Sequence, residues 1–478
     1  MQNTLVCSTL LFAGVLTPTY LKAQKQNQRT STPNVVFILA DDLGYGDLSC
    51  YGQEKFETPN IDRLALNGMR FTQCYSGTTV SAPSRSALIT GLHTGHTFVR
   101  GNKEIKPEGQ FPLPADTRTI FQLFQEAGYT TGAFGKWGLG GIGTSGEPNN
   151  MGIDNFYGYN CQLLAHNYYP DHLWENKQRI ELDGNKNKGT ESYSQDLIHE
   201  KAIQFLDQQD SKKPFFMYYP AILPHAELIV PEDSIIRKFR GKYPEKPYRG
   251  DDSGQRRGEY CSQVYPRATF AAMVYRLDVY VGQLVEKLKE MGVYDNTLIV
   301  FTSDNGPHQE GGADPDYFNS NGMYRGYKRD LYEGGVRVPM IVSWPGHVKP
   351  GTETNFMCSF WDMMPTFKEM FAGKPSKDKT DGISIYPLLT GKKGQKEHDY
   401  LYFEFQEMGG RQAARKGDWK LVHLNIRNKP RFELYNLASD PQEKHNLISQ
   451  YPEKAEELKA IMQEAHVEDP NWPLFGNK

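Results

Sequence analysis

The chain has 478 residues, with 54 Lys and Arg against 57 Asp and Glu, which gives a formal net charge of −3. Hydrophobic residues make up 38% of the chain and aromatic residues 12%, which excludes a chain that is disordered throughout. The near balance of charge argues against a nucleic-acid-binding protein, because such a protein needs an excess of positive charge to engage phosphates. The composition favours a large, loop-rich globular enzyme.

The first apolar segment runs from Leu5 to Leu16, before a small residue, Ala23. At roughly 12 residues it is too short to cross a bilayer, but it is typical of the apolar part of a signal peptide. We therefore expect residues 1–23 to be a signal peptide and the protein to be exported, the alternative being a disordered N-terminal tail. No later segment has the length and apolar character of a transmembrane helix, so the sequence predicts that the chain is not an integral membrane protein.

Four short, continuous apolar runs predict buried strands, at Val35–Ala40, Phe215–Tyr219, Thr297–Phe301 and Val338–Ser343. Continuous rather than alternating apolar runs are typical of parallel strands that are covered on both faces, so all four are expected to be parallel. Helical patterns lie between them, beginning at Thr58-Pro59 and covering Ile120–Ala127 and Ala268–Met291. Strands that alternate with helices predict an α/β fold with a mostly parallel central sheet.

The character of the chain changes after the polar segment Gly391–His398. Three short aromatic-rich strands and a charged helix are predicted there, at Tyr400–Phe405, Trp419–His423, Phe432–Tyr435 and Pro452–Ala465. We therefore expect a main domain over residues 24–395 and a smaller α+β subdomain with an antiparallel sheet over residues 396–478.

Two of the predicted strands end in pairs of oxygen-bearing residues. Asp41-Asp42 follows the first strand, and Asp304-Asn305 follows the third. Parallel α/β sheets place their ligand sites at the carboxyl ends of the strands. Three carboxylates and an amide form a set of hard oxygen ligands that suits Ca²⁺ or Mg²⁺. The alternative is that each pair caps a following helix or turn.

The segment Thr78–Gly91 has the sequence TTVSAPSRSALITG, in which Ser81 and Arg85 stand at the start of a predicted helix. A polar nucleophile beside a helix N-terminus lies at the positive end of the helix dipole. That position favours an anionic substrate.

Ser81-x-Pro83-Ser84-Arg85 resembles the Cys/Ser-x-Pro-x-Arg motif of the type I sulfatase family. Further segments resemble the family, in family order and over nearly the whole chain from residue 34: NVVFILADDLGYGD (34–47), TPNIDRLALNGMRFTQCY (58–75), GKWGLG (135–140), FTSDNG (301–306), RGYKRDLYEGGVRVP (325–339) and ELYNLASDPQEKHNL (433–447). The resemblance implies an alkaline-phosphatase-like α/β/α sandwich and hydrolysis of a sulfate ester.

The resemblance also implies a modified residue and a metal ion. Ser81 matches the residue that is oxidised to Cα-formylglycine (3-oxoalanine), and Arg85 matches the arginine that holds it. The family's Ca²⁺ ligands, for one ion per chain, match Asp41, Asp42, Asp304 and Asn305. A hydrated aldehyde presents two hydroxyls, one to attack sulfur and one whose deprotonation expels sulfate. A plain serine has only one, so activity should require the modification.

Three further residues match positions that act on the sulfate ester. Lys136 and Lys328 match the lysines that contact the sulfate group. His225, in LPH, matches the histidine that protonates the leaving oxygen, and we expect its pKa to lie near neutrality.

One position departs from the family pattern. Many relatives read GKWHLG, whereas this chain has Gly138 in place of that histidine, and glycine cannot transfer a proton. We predict that His166 supplies the missing imidazole, with His308 as a second contender. The alternative for His166 is a loop histidine that only hydrogen-bonds or faces the sugar.

The candidates for binding the rest of the substrate combine aromatic, basic and acidic groups, which suit a sugar ring. They are Tyr168, Trp174, His308, Glu310, Glu404 and Arg411. The segments GKWGLG and AHNYYP are similar to those of bacterial sulfatases that act on galactose or N-acetylgalactosamine sulfates. The expected substrate is therefore a sulfated carbohydrate.

In having serine at position 81, the chain resembles the sulfatases that an anaerobic radical enzyme matures before export. This implies an anaerobic sulfatase-maturating enzyme as a transient partner and a periplasmic location.

Two alternatives to the sulfatase function remain open. One is a phosphatase or phosphodiesterase of the alkaline phosphatase superfamily, and the other is an exported glycan-binding pseudoenzyme, which only Gly138 favours.

Overall fold

The computed structural model describes Met1 and residues 32–210, 212–252, 260–373 and 379–476. The signal peptide predicted at residues 1–23 lies outside the described residues, apart from Met1. Among the residues described, no helix combines the length and the apolar character that crossing a bilayer requires.

The strands of the described chain are β1 (Asn34–Ala40), β2 (Met69–Tyr75), β3 (Thr130–Lys136), β4 (Asn155–Tyr159), β5 (His172–Glu175), β6 (Gln178–Glu181), β7 (Phe215–Pro220), β8 (Thr297–Ser303), β9 (Arg337–Ser343), β10 (Thr352–Thr354), β11 (Cys358–Ser359), β12 (Leu401–Phe405), β13 (Arg411–Lys416), β14 (Trp419–Leu424) and β15 (Arg431–Asn436). Its helices are α1 (Pro59–Leu66), α2 (Ser81–Thr90), α3 (Ile120–Glu126), α4 (Ser194–Asp207), α5 (Ser234–Phe239), α6 (Pro266–Glu290), α7 (Pro315–Phe318), α8 (Glu333–Val336), α9 (Met363–Ala372), α10 (Tyr386–Leu389) and α11 (Pro452–Ala465).

The large sheet has the strand order β10-β2-β9-β8-β1-β7-β3-β4-β5-β6, and β11 also pairs with β2. Its central strands β8, β1, β7, β3 and β4 are parallel, so the predicted mostly parallel sheet is confirmed. The prediction of a parallel strand at Val338–Ser343 is wrong, because β9 runs antiparallel to both β8 and β2. A continuous apolar run shows that both faces of a strand are covered, but it carries no information about direction.

Helices cover both faces of this sheet, as alternate residues of β1 show. Val36 and Ile38 belong to one apolar core, with residues of α1, α4 and α6. Val35 and Phe37 belong to the other, with residues of α2, α3 and α9. The α/β/α sandwich that the resemblance implies is therefore confirmed.

Asp278, on α6, fixes the first turn of α1. Its carboxylate accepts hydrogen bonds from the backbone N–H groups of Asn60 and Ile61, at 2.9 and 2.8 Å. The two helices lie so close that a Cβ at Gly282 would stand 2.6 Å from the Asn60 side chain. These bonds satisfy donors that the start of any helix leaves without partners.

The second sheet is antiparallel, with the order β12-β13-β14-β15, and α11 packs against it. This confirms the predicted antiparallel sheet, although the basic strand β13 was missed. A buried ion network attaches the sheet to the rest of the protein: Lys420, on β14, lies 2.9 Å from Glu333 and 3.0 Å from Glu443. Residues 32–478 form one compact unit, and the boundary at residues 395 and 396 stays a prediction.

Candidate active site

Ser81 is the first residue of α2 and lies at the carboxyl end of β1. Its hydroxyl donates to Asp41 Oδ1 at 3.0 Å, and Lys136 Nζ lies 3.4 Å from the Ser81 hydroxyl oxygen. All ten residues of α2 are buried, and the helix ends at Gly91, whose φ of +71° is the left-handed conformation that glycine adopts readily. The Ser81 hydroxyl is therefore held at a helix N-terminus that the core fixes in place.

Arg85 lies one helical turn after Ser81 and is fully buried. Its Nε and Nη2 donate to Asp304 Oδ2, at 3.2 and 2.9 Å, and its Nη1 donates to the backbone carbonyl of Lys136 at 2.7 Å. The planar guanidinium thereby connects α2, β8 and β3.

The two oxygen-rich pairs meet as the sequence predicted. Strands β1 and β8 are parallel neighbours, with Ala40 opposite Ser303, so the residues that follow them emerge side by side. The Asp42 N–H donates to Asp304 Oδ1 at 3.0 Å, and Asn305 Nδ2 donates to Asp42 Oδ1 at 2.6 Å. These side chains and that of Asp41 are fully buried.

The carboxylates of this cluster differ in their affinity for a proton. Burial alone would raise the pKa of Asp41, but the positive charges of Lys136 and Arg85 lower it below its ordinary value. Burial, and then the negative charge of Asp41, raise the pKa of Asp304 above its ordinary value. Burial beside a second carboxylate therefore disfavours the charged form of Asp304, even with the Arg85 guanidinium in contact.

A divalent cation fits this cluster. Its donors are carboxylate and amide oxygens, which hard cations prefer. The amide oxygen of Asn305 is buried and has no hydrogen-bond partner in the described part of the chain. A cation would satisfy that oxygen and favour the charged form of Asp304.

Lys328 is brought to the site by the loop before α8, and its ammonium contacts three side chains. Its Nζ lies 2.8 Å from Asp42 Oδ2, 3.0 Å from Glu310 Oε2 and 3.0 Å from Nε2 of His225. An ammonium group has only donors, so Nε2 of His225 is an acceptor in this contact. Lys328 thus joins the carboxylate cluster to the histidine.

His225 follows β7, in a turn tied to β1 by the bond from the Asp41 N–H to the Leu223 carbonyl, at 3.0 Å. Its Nδ1 bonds to the carbonyl of Ala226, so Nδ1 carries the proton. Burial and then the positive charge of Lys328 lower the pKa of His225 well below its ordinary value. The expectation of a pKa near neutrality is therefore wrong, because a buried imidazole next to an ammonium group stays neutral.

Both other predicted histidines lie against the His225 ring. The His166 ring centroid is 4.9 Å from that of His225, and the His308 centroid is 5.8 Å from it. The nitrogens of His308 are engaged, by the carbonyl of Pro224 at 3.1 Å and the N–H of Glu310 at 3.2 Å. Nδ1 of His166, in contrast, is buried without a partner among the described residues.

Two of the predicted substrate-binding residues lie beside Lys328. Glu310 bonds to Lys328 and, through its other oxygen, to Arg329 at 2.5 Å. Nη1 of Arg411 donates to the carbonyl of Arg329 at 2.6 Å and to Asp330 at 2.7 Å. The sequence analysis missed Arg329, although it stands next to Lys328 in RGYKRD.

The other predicted substrate-binding residues have their polar atoms bonded within the protein. Tyr168 is fully buried, and its hydroxyl donates to the His225 carbonyl at 2.9 Å. The indole N–H of Trp174 donates to Glu108 at 2.7 Å. Glu404 is fully buried, and its carboxylate accepts a bond of 2.6 Å from the tyrosine two residues before it. Contact of these three residues with substrate stays a prediction.

Comparisons with known proteins agree with this geometry. A family model described as "Sulfatase" matches residues 33–373, and one described as "N-sulphoglucosamine sulphohydrolase, C-terminal" matches residues 322–468. Human arylsulfatase A is 31% identical, over 87% of this chain and 83% of its own length. The N-acetylgalactosamine-6-O-sulfatase of Bacteroides thetaiotaomicron is 29% identical, over 94% of this chain and 96% of its own. The crystal structure of Ps i-CgsB in complex with k-i-k-neocarrahexaose has a TM-score of 0.76 and 29% identity, and the match covers 93% of this chain and 95% of that one.

Proposed function

The chain belongs to the sulfatase family and is a sulfuric ester hydrolase, and we propose that its substrate is an O-sulfate ester of a carbohydrate. Galactose or N-acetylgalactosamine sulfates of host or algal glycans are the first candidates. Support comes from two relatives in Bacteroides thetaiotaomicron, an N-acetylgalactosamine-6-O-sulfatase and an N-acetylglucosamine-6-O-sulfatase, which match 94% and 92% of this chain.

The observation that carries the proposal is the pocket around Ser81. Two buried ammonium groups, those of Lys136 and Lys328, contact the buried carboxylates of Asp41 and Asp42, and that of Lys136 lies 3.4 Å from the Ser81 hydroxyl. Positive charge in a water-poor site binds a small anion strongly. The pocket therefore suits a single sulfate group.

We propose that Ser81 is converted to Cα-formylglycine and that one Ca²⁺ per chain is bound by Asp41, Asp42, Asp304 and Asn305. When bound, these groups supply a pair of hydroxyls on one carbon and a positive charge that polarises sulfate oxygens. The unpartnered amide oxygen of Asn305 and the raised pKa of the buried Asp304 support the cation. Arg85 keeps Asp304 and the start of α2 in a fixed relation, which holds residue 81 against the cluster.

The lysines and His225 act on the two ends of the ester. Lys136 and Lys328 bind sulfate oxygens and stabilise the charge that develops on them. His225 is neutral, and its Nε2 accepts a hydrogen bond from the Lys328 ammonium. One proton therefore lies between the two nitrogens, which are 3.0 Å apart. We propose this pair as the acid that protonates the leaving oxygen of the sugar, because an alkoxide is a poor leaving group without a proton.

His166 is the proposed base that stands in for the histidine absent at Gly138. Burial lowers the pKa of His166 well below its ordinary value, and the positive charges of Lys136 and Lys328 lower it further. A neutral imidazole with an unpartnered nitrogen is able to accept a proton. Its position against the His225 ring supports this role.

The experiment that tests the function is an assay of the matured protein against regiospecifically sulfated sugars, 4-nitrophenyl sulfate and 4-nitrophenyl phosphate. We expect sulfate release from at least one galactose or N-acetylgalactosamine sulfate and no comparable phosphate release. Turnover of the phosphate ester alone would favour the phosphatase alternative. Glycan binding without turnover, in protein that carries the aldehyde, would favour the pseudoenzyme.

We also propose that residues 1–23 direct export to the periplasm, after an anaerobic sulfatase-maturating enzyme has converted Ser81. The apolar run from Leu5 to Leu16 supports export. N-terminal sequencing of protein from the periplasmic fraction should give a start after Ala23. A protein that keeps its full N-terminus in the cytoplasm would contradict the proposal.

A further inference from the structure

Gly138 lies next to the anion pocket because the pairing of β3 with β4 continues beyond Lys136. The Trp137 N–H donates to the Tyr159 carbonyl at 2.9 Å, and the Gly138 N–H donates to the Asn160 carbonyl at 3.1 Å. Lys136 contacts the site at both ends, since its carbonyl accepts from Arg85 Nη1 at 2.7 Å and its ammonium lies 3.4 Å from Ser81 Oγ. A side chain at position 138 would therefore begin two residues beyond a residue of the site.

The space of that absent side chain is occupied by Gln162. A Cβ built on Gly138 would lie only 1.9 Å from Nε2 of Gln162, which is closer than any two such atoms can come. Gly138 also has a φ of +75°, a conformation that side chains rarely adopt. The Gln162 side-chain amide therefore occupies the space that a side chain at position 138 would need.

The amide nitrogen of Gln162 has no use in the fold itself. The residue is only 7% exposed, and Nε2 has no hydrogen-bond partner among the residues that the structure describes. Its backbone is fixed, since the Gln162 N–H donates to Gln110 Oε1 at 3.0 Å. A buried donor that is held in place without an acceptor is costly, and a ligand acceptor removes that cost.

We propose that the side-chain amide of Gln162 donates a hydrogen bond to a sulfate oxygen and so replaces the contact that Gly138 cannot make. Sulfate has only acceptors, so an unpartnered N–H donor at the pocket edge complements the ammonium groups. An amide neither gains nor loses a proton at ordinary pH, so Gln162 binds the sulfate and takes no part in proton transfer. The proposal rests on the proposed function, since it places sulfate in this pocket.

The test measures inorganic sulfate binding by calorimetry, in protein made without the maturating enzyme, for the wild type, Gln162→Met and Gln162→Glu. Methionine keeps the length of the side chain and removes the donor, and glutamate adds a repelling charge. We expect about tenfold weaker sulfate binding for Gln162→Met and a larger loss for Gln162→Glu. Gln125→Met, at a surface glutamine of α3, is the matched control and should bind sulfate as the wild type does.

A pair of variants tests the shared space. Gly138→His alone should disrupt the site, because its Cβ meets Gln162. Gly138→His combined with Gln162→Ala should unfold at a higher temperature than Gly138→His alone, because the clash with Gln162 is then gone while the strain of the positive φ remains. Unfolding temperatures of all variants separate loss of binding from loss of fold.

Equal sulfate affinity in wild type and Gln162→Met, or no sulfate binding by the wild type, would overturn the proposal. The proposed function fails separately, if matured wild-type protein hydrolyses no sulfate ester while sulfate binding still depends on Gln162.

Discussion

The ammonium nitrogen of Lys328 lies 3.0 Å from Nε2 of His225. The imidazole is therefore an acceptor at this atom, and its lowered pKa means that it does not hold a proton of its own there. As the proposed acid, His225 acts only through the proton that Lys328 donates. In this proposal the two residues act together as the acid, so the effect of removing His225 should depend on the leaving group.

His225→Ala should slow a sugar sulfate much more than an aryl sulfate. We expect kcat/KM to fall on the order of 10²–10⁴-fold for the sugar, whose alkoxide needs a proton, and by less than about tenfold for 4-nitrophenyl sulfate. Steady-state kinetics on both substrates checks this. Lys136→Met is the control, because Lys136 contacts Ser81 and the carboxylates and should lower both rates alike. An equal fall in kcat/KM on both substrates in His225→Ala would contradict the proposal that His225 acts on the leaving group.

His166→Ala should lower kcat/KM by more than about tenfold with unchanged unfolding temperature, because its unpartnered Nδ1 is the proposed base. His308→Ala is the comparison, since both nitrogens of His308 are bonded within the protein. If His166→Ala stays within a few-fold of the parent, the base lies elsewhere.

Calcium should stabilise the protein by binding to Asp41, Asp42, Asp304 and Asn305. At a concentration about 100 times its Kd, a ligand raises the free energy of unfolding by about 2.7 kcal/mol, so the unfolding temperature should rise on adding Ca²⁺ and fall with a chelator. Differential scanning calorimetry should show no such rise in Asp42→Asn. Asp183→Asn, at an exposed aspartate, should keep it. A calcium response that survives in Asp42→Asn would place the ion at other residues.

His199 makes the fold sensitive to acid. It lies on α4 and packs against α6, with its ring 4.5 Å from that of Tyr280, and burial lowers its pKa to about 4. The unfolded chain, with a histidine pKa of about 6.5, binds a proton that the folded chain does not, so stability falls as pH drops from about 6.5 to about 4. Integrated over that range, the loss is of the order of 3 kcal/mol.

Urea unfolding at pH 7 and pH 4.5 measures this effect. The variant His199→Gln should lose less stability than the wild type between the two pH values, and the exposed His445→Gln should behave as the wild type does. Identical pH dependence in wild type and His199→Gln would show that His199 is not a source of the acid sensitivity.

The sequence predicted the meeting of the two oxygen-rich pairs for a specific reason. Asp41-Asp42 and Asp304-Asn305 each follow a short apolar strand, and parallel neighbouring strands must bring such residues together. The sequence-based prediction failed for the direction of one strand and for one strand of polar composition. Nothing in the apolar run of β9 states that it is antiparallel, and β13, with three charged residues among six, lacks the apolar signal of a strand.

Gln162 could not be predicted in the same way. In the sequence, Gly138 shows only that the family's histidine is lacking. His166 is the expected substitute because it supplies another imidazole. The structure shows that a different side chain fills the space, and this depends on the φ of Gly138 and on the path of the segment after β4. Such contacts between a loop and a strand end leave no local pattern in the sequence.

The central claim is that a formylglycine made from Ser81 acts in the pocket of Lys136, Lys328 and His225. It is tested most directly by mass spectrometry of the peptide that contains Ser81, in protein produced anaerobically with a sulfatase-maturating enzyme and assayed in parallel. We predict a peptide lighter by two hydrogens, with sulfatase activity in proportion to the converted fraction. Unmodified serine in a fully active sample would contradict the account.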